Sequence, residues 1–520
     1  MPNVITRRSF IHTGLQAGVA AGLASMMNIP PFLKRALAEG NIGISGKKLL
    51  FIFLRGGNDG INNIVPIEDP SYLGTGNTLR GSIGILKDPM VFYDVASPTA
   101  DVVSRTYPYA INLGNKFAAL HPALFDMAPL FNNGDLGLIH RVAYRSQSRS
   151  HFDSEKYWEK GTDGVGANNR FISDGVFYRT IVESGWNRNH ALSGVSIQSN
   201  LPQSLRGQQP MTNLSSIGRY NLIGVSSPSG STNTDRVKLL NAIDAANLQL
   251  HPQKDNRELV YNLGTAFQNT LDIFLDPSFQ TNEFYDTDGT RLFPSSSAQD
   301  PLNRFNNSFG FIQNVKSAAQ ILANTDAIIT GTEMGGFDTH TGQVTAGSPH
   351  LGGHANLLRR VGWAFYALWK FFSNPAYNNQ GMDLWRDVVV VTFSEFGRTS
   401  AENASDGTDH AEASVMYVAG GSIHGGIYGC SPTPINGVNQ WDAGDGGKTG
   451  SMYAANSNVG YLRRAIDYRS VIGEIIRDHM GATQNQLNRI IPAYANETTE
   501  HLKDGGMVAT TPIIGEIGIV

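Results

Sequence analysis

The chain holds one cysteine, Cys430, so it can form no intramolecular disulfide and does not depend on an oxidising compartment for its stability. Its mature part has no apolar run of the roughly 20 residues that spanning a bilayer requires. Charged residues make up only 16% of the chain, and beyond the N-terminal segment they form no basic cluster of the kind that binds nucleic acid. Cysteine ligands for a cluster, a haem motif and a dinucleotide fingerprint are all missing, which removes the sequence basis for a redox protein. What is there is globular and loop-rich. With 520 residues, 57 of them glycine, the chain is long enough for one large α/β domain with insertions or for two domains.

The N-terminus reads as a targeting segment. Thr6-Arg7-Arg8-Ser9-Phe10-Ile11 sets two arginines ahead of a mild apolar run, Gly14 to Met27, and Ala36-Leu37-Ala38 supplies the small residues of a cleavage site. This resembles a twin-arginine signal, the route for proteins that cross the membrane already folded. Residues 1–38 are therefore expected to be a signal peptide, with the twin-arginine translocation machinery as a partner and a periplasmic or extracellular mature protein. Removing them leaves 36 basic and 44 acidic residues, a formal charge of −8.

The mature chain repeats one pattern: a buried strand that breaks into a polar, glycine-rich loop. Lys47–Leu54 is apolar and ends in Arg55-Gly56-Gly57-Asn58-Asp59-Gly60. The glycines let the backbone turn and approach a ligand. Asp59 is then either a ligand at a strand end or the acceptor of an Asx turn. Leu124, Met127 and Leu130 predict a helix, and Leu136–Ile139 a short strand. Arg145-Ser146-Gln147-Ser148-Arg149-Ser150-His151 then leads into another helix. A serine there is a cap, or a hydroxyl held beside the free amides and positive potential of the helix start.

Residues 200–305 read as a loop and helical insertion or cap on the main sheet, with Leu259, Leu263, Phe267 and Leu271 on one helical face. Ile312, Val315, Ala319 and Leu322 predict a further helix. Asp326–Thr330 predicts a strand running into Gly335-Gly336-Phe337-Asp338-Thr339-His340, whose D-x-H spacing can direct a carboxylate and an imidazole at one metal. Val388–Phe393 is the most apolar strand, and it stops at once in Ser394, Glu395, Gly397 and Arg398. Open α/β sheets bind ligands at such strand ends. Glu395, Arg398, Asp409 and His410 are expected to form one wall of a site. Gly447-Lys448-Thr449 and Cys430-Ser431-Pro432-Thr433-Pro434 depart from the phosphate-loop and sulfatase signatures at required positions and carry no reading.

Taken together, T-R-R-S-F-I, L-R-G-G-N-D-G-I-N, R-S-H-F, G-F-D-T-H, S-E-F-G-R-T and G-T-D-H-A resemble a bacterial domain-of-unknown-function family, number fifteen-oh-one, over nearly all of residues 39–520. The resemblance implies the alkaline phosphatase and sulfatase superfold, a mainly parallel sheet with helices on both faces. It also implies an exported metal-dependent hydrolase of phosphate or sulfate esters, on a small-molecule or glycan substrate, with a divalent ion (Zn, Mn, Mg or Ca). Ser150, with Ser148 as the alternative, matches the nucleophile position. Arg149 or Arg398 would clamp the anion, and His151 stands beside the nucleophile. Asp59, Asp338, His340, Glu395 and His410 match metal ligands, with Asp409 a ligand or its outer partner. Phe396 departs from the superfold, which has a histidine there. That departure keeps a second reading open, an exported non-catalytic protein that binds a polyanionic glycan or a protein partner.

Overall fold

A computed structural model describes residues 42–87, 107–216, 273–440 and 461–520, apart from short breaks within those ranges. The expected signal segment, the pattern from Leu259 to Leu271 and Gly447-Lys448-Thr449 lie outside the described residues.

Nine strands form one mixed sheet: β1 (Lys48–Leu54), β2 (Leu136–Ala143), β3 (Gly194–Ile197), β4 (Thr212–Leu214), β5 (Ile329–Met334), β6 (Val388–Phe393), β7 (Ser414–Ala419), β8 (Gly426–Tyr428) and β9 (Ile466–Asp467). Their order is β8-β2-β7-β6-β1-β5-β3-β4, with β9 added beside β2. β1 lies at the centre, parallel to β6 on one side and β5 on the other. β7 runs antiparallel to both its neighbours, β6 and β2, while the other pairings are parallel, so the sheet is mixed but mainly parallel, as expected.

Every residue of β1 is buried, as a central strand covered on both faces requires. Leu50, Ile52 and Leu54 enter one core and Leu49, Phe51 and Phe53 the other. The first core is closed by α3 (Gly310–Asn324) and α4 (Gly353–Phe372), the second by α1 (His151–Lys160), α2 (Val176–Ser184), α5 (Tyr468–Glu474) and α6 (Gln484–Ile490). Helices thus cover both faces. The stripe Ile312, Val315, Ala319 and Leu322 is the buried side of α3.

β5 differs from its expected span: it begins at Ile329 and runs on to Met334. Its later residues include Thr330 and Thr332, which look polar in the sequence. They are buried because their hydroxyls donate to the carbonyls of Ala318 and Ile197, at 3.3 and 2.8 Å. The described part of the 200–305 stretch packs Phe284, Leu292, Phe293 and Phe305 into the first core. Phe284 meets Phe371 of α4 edge-on at 4.8 Å. Among the described residues no helix is long and apolar enough to cross a membrane.

The topology gathers the polar loops. β1, β5 and β6 are parallel, so all three end at the same edge of the sheet. β7 is antiparallel to β6, so it starts at that edge. The chain between β6 and β7 therefore leaves and returns at one place, and Arg398 and His410 meet there in an isolated antiparallel bridge.

Candidate metal centre

Four side chains meet at this edge. His410 Nε2 lies 3.1 Å from His151 Nε2, 2.9 Å from His340 Nε2 and 3.2 Å from Asp338 Oδ1. Asp338 Oδ1 is 3.1 Å from His340 Nε2, and Oδ2 is 3.6 Å from His151 Nε2. His151 opens α1, Asp338 and His340 follow β5, and His410 precedes β7.

The other nitrogen of each ring is taken. His410 Nδ1 faces the Arg149 carbonyl at 3.0 Å. His151 Nδ1 faces Glu395 Oε1 and His340 Nδ1 faces Asp409 Oδ1, at 2.8 and 2.9 Å. A carbonyl or a carboxylate only accepts, so each Nδ1 carries a proton, and a ring in its neutral form turns an Nε2 lone pair inward. Bare lone pairs at these distances repel one another. One proton can lie between only one pair of atoms, whereas His410 Nε2 has three neighbours. A divalent ion bonded at about 2.1 Å sets tetrahedral ligands about 3.4 Å apart. The two imidazole nitrogens of His151 and His410 are 3.1 Å apart, His410 lies 3.2 Å from Asp338 Oδ1 and His151 lies 3.6 Å from Asp338 Oδ2. One ligand atom from each of these three lies within 4.8 Å of the others, and His340 Nε2 lies 2.9 Å from His410 Nε2 and 3.1 Å from Asp338 Oδ1. The donors of His151, Asp338 and His410 fit a divalent ion.

The surroundings shift these groups in different directions. Burial works against ionised Asp338, but the hydrogen bond from Arg398 and the contact with His410 outweigh it and hold the carboxyl at about 2. The bond to Glu395 raises His151, and burial lowers His410. The bond from His340 lowers Asp409.

Glu395 and Asp409, both expected as ligands, are brought to the centre as the acceptors that orient His151 and His340. Carboxylates in that outer position fix the tautomer and ring direction of metal-binding histidines. Glu395 is fully buried: Oε1 also accepts from the Gly56 amide at 2.7 Å, while Oε2 has no hydrogen-bond partner. Asp59 is not brought into the group. Its two oxygens accept from Arg80 at 2.7 and 3.0 Å and from Gln343 at 2.6 Å, inside the protein. The neighbouring glycines serve packing. A Cβ on Gly56 would stand 2.3 Å from the Asp338 amide nitrogen and one on Gly57 2.3 Å from the Phe396 ring, and both have positive φ.

Arg398 is fully buried, and every donor group is spent on protein. It bonds the carbonyls of Gly57 (2.7 Å), Thr408 (3.0 Å), Phe337 (3.2 Å) and Gly56, and Asp338 Oδ1 at 2.6 Å. It pins three loops rather than presenting donors to a substrate. Arg149 is exposed, with its guanidinium 4.6 Å from the centre of the Tyr461 ring. Ser150 is the N-cap residue of α1, exposed, and its hydroxyl makes no capping bond. Ser148 Oγ instead accepts from the Ser150 amide at 3.2 Å.

Two contributors carry no sequence signal of their own. Gln147 and Ser154 donate to the Glu395 carbonyl and so tie α1 to the end of β6. Phe396, which cannot bind a metal, is the buried floor under His151 and His410, with ring centres 4.7 and 4.6 Å away.

Fold and site together define an α/β protein with a histidine- and aspartate-lined centre at the carboxyl edge of its parallel strands. The chain matches, over residues 46–442, the family described as "Protein of unknown function (DUF1501)", and it belongs to that family. No curated protein and no solved structure matches it.

Proposed function

We propose that the protein is an exported metal-dependent hydrolase of phosphate or sulfate esters, with the alkaline phosphatase and sulfatase superfold, carried through the membrane by its twin-arginine signal. The observation that carries this reading is the convergence of three Nε2 atoms and the Asp338 carboxylate, each imidazole held by an outer acceptor. His151, Asp338 and His410, with His340 beside them, would hold one divalent ion. Such an ion supplies charge stabilisation to ester oxygens and favours an ionised serine hydroxyl.

The chain's own groups then have distinct tasks. Ser150 supplies the nucleophile from the start of α1, where free amides favour negative charge. Its oxygen bonds to phosphorus or sulfur as the ester oxygen leaves. The serine proton passes to solvent, and the departing alkoxide takes one from water. Water then displaces the serine. Arg149 pairs with the anion from the rim, and Tyr461 orients its guanidinium. Asp59 is already paired with Arg80, which argues for one ion rather than two. The second reading is a non-catalytic exported protein of the same fold that binds a polyanionic glycan or a protein partner.

A screen of phosphate mono- and diesters and sulfate esters, with the metal varied, tests the proposal. The expected result is turnover that disappears in Ser150→Ala and in His410→Ala while both proteins stay folded. Full activity in either variant removes the assignment. A protein that holds no divalent ion and turns over none of these esters supports the second reading.

A further inference from the structure

Behind the imidazoles lies a buried polar group built around Gln343. Its Oε1 accepts from the Thr339 hydroxyl at 3.0 Å and from the Thr408 hydroxyl at 2.9 Å, and its Nε2 donates to Asp59 Oδ2 at 2.6 Å. The orientation of the amide follows from these partners. A carboxylate only accepts, so the nitrogen faces Asp59 and the oxygen faces the two hydroxyls. Thr339, Thr408, Asp59 and Arg80 are all buried as well.

The two hydroxyls belong to the two arms of the centre. Thr339 stands between Asp338 and His340, and Thr408 stands two residues before His410. The arms also meet directly, where the Thr408 amide donates to the Thr339 carbonyl at 3.2 Å. Gln343 is anchored in its turn. Asp59 accepts from Arg80 at 2.7 and 3.0 Å, and Arg80 donates to the carbonyls of Thr399 and Ser400 at 2.8 and 3.0 Å. Thr399 and Ser400 begin the same stretch that ends at His410. A buried ion pair with no bond to the imidazoles thus reaches both arms through one amide. Satisfied polar networks rigidify what they join. Metal–ligand distances hold to about 0.2 Å, so a small slip of one arm against the other is felt at the ion.

We propose that Gln343 is a positioning residue of the metal centre, which holds the Thr339 and Thr408 arms in register and so sets how tightly Asp338 and His410 bind their ion. Through it Asp59 and Arg80 act on the site without touching the ion. The inference rests on the ion-binding reading of the centre but not on ester hydrolysis, and its test separates a failure of the one from a failure of the other.

Titration of the purified, chelator-treated protein with cobalt(II) reads affinity and, through the visible absorption of the bound ion, coordination geometry. Hydrogen exchange of the ion-free protein reads the amide of residue 408 apart from any metal. In Gln343→Leu, cobalt affinity is expected to fall about tenfold or more, the scale of change when a group that orients metal ligands is lost. The 408 amide then exchanges faster while the amides of β1 keep the parent's rates. Thr408→Val moves both readouts the same way and decides the matter if Gln343→Leu does not fold. Thr408→Ser keeps the hydroxyl and restores the parent's values. Parent-like cobalt affinity in folded Gln343→Leu or in Thr408→Val, unchanged exchange at 408, or equally faster exchange throughout β1 overturns the inference. A parent protein that takes up no cobalt removes the ion-binding reading instead, and exchange at 408 alone then decides whether Gln343 joins the arms.

Discussion

Replacing Arg398 probes how the centre is held together. Its guanidinium bonds four carbonyls and one carboxylate oxygen, drawn from the loops after β1 and β5 and from the strand partner of its own segment. The ion pair is the smaller part of this, because the Asp338 side chain is 48% exposed and water screens it. The carbonyls weigh more. Hydrogen bonds from a charged donor contribute about 1.5–3 kcal/mol each when buried, and several on one group do not add in full. Arg398→Met strips all of them and is expected to cost about 4–5 kcal/mol. Arg398→Lys keeps the charge but offers three donors from one nitrogen, which cannot span carbonyls on separate loops. It is expected to lose about half as much. Urea unfolding of the three proteins, with and without chelator, measures both. If Met and Lys each fall within about 1 kcal/mol of the parent, Arg398 does not pin the loops and the reasoning fails.

Two further expectations concern buried carboxyls. Burial opposes ionisation of Asp59, but Arg80 and Gln343 overcome it and hold its pKa below normal. The stabilisation is then present above pH about 4 and lost as pH falls through the lower folded value. Arg80→Met leaves that carboxylate uncompensated and is expected to cost about 3–5 kcal/mol at pH 7, with a smaller deficit at pH 4 in urea titrations. Asp126 is the opposite case: burial, only partly offset by Arg304 and Arg359, pushes it up to about 6. Its contribution is complete below pH about 4 and lost as pH rises through 6. Asp126→Asn should flatten the stability profile between pH 4 and 7 and add at most about 3 kcal/mol at pH 7, read by thermal melts across that range.

Much of the frame is legible in the sequence because it rests on continuous apolar runs. β1 and β6 are such runs, and their polar ends mark the edge where the site forms. The reversal of β7 is not legible, since a short buried strand reads the same in either direction. It is nonetheless what returns His410 to Arg398. Residue type also points to Asp338, His340 and His410, which the fold joins. It cannot tell an ion's ligand from the group behind that ligand. Glu395 and Asp409 look as competent as Asp338, and only the geometry turns them toward imidazole Nδ1 atoms. Asp59 reads as a ligand because its partner, Arg80, stands 21 residues away in an irregular stretch. Phe396 reads as a missing histidine, and in the fold it is the floor that His151 and His410 rest on.

Elemental analysis of the purified protein tests the central claim most directly. The account predicts about one equivalent of a divalent ion per chain. The ion should be lost from a folded variant carrying His151→Ala and His410→Ala, and its affinity should fall about 10- to 100-fold in Glu395→Gln. A chain that binds none of Zn, Mn, Mg or Ca after loading, or a double variant that retains its ion, would contradict it.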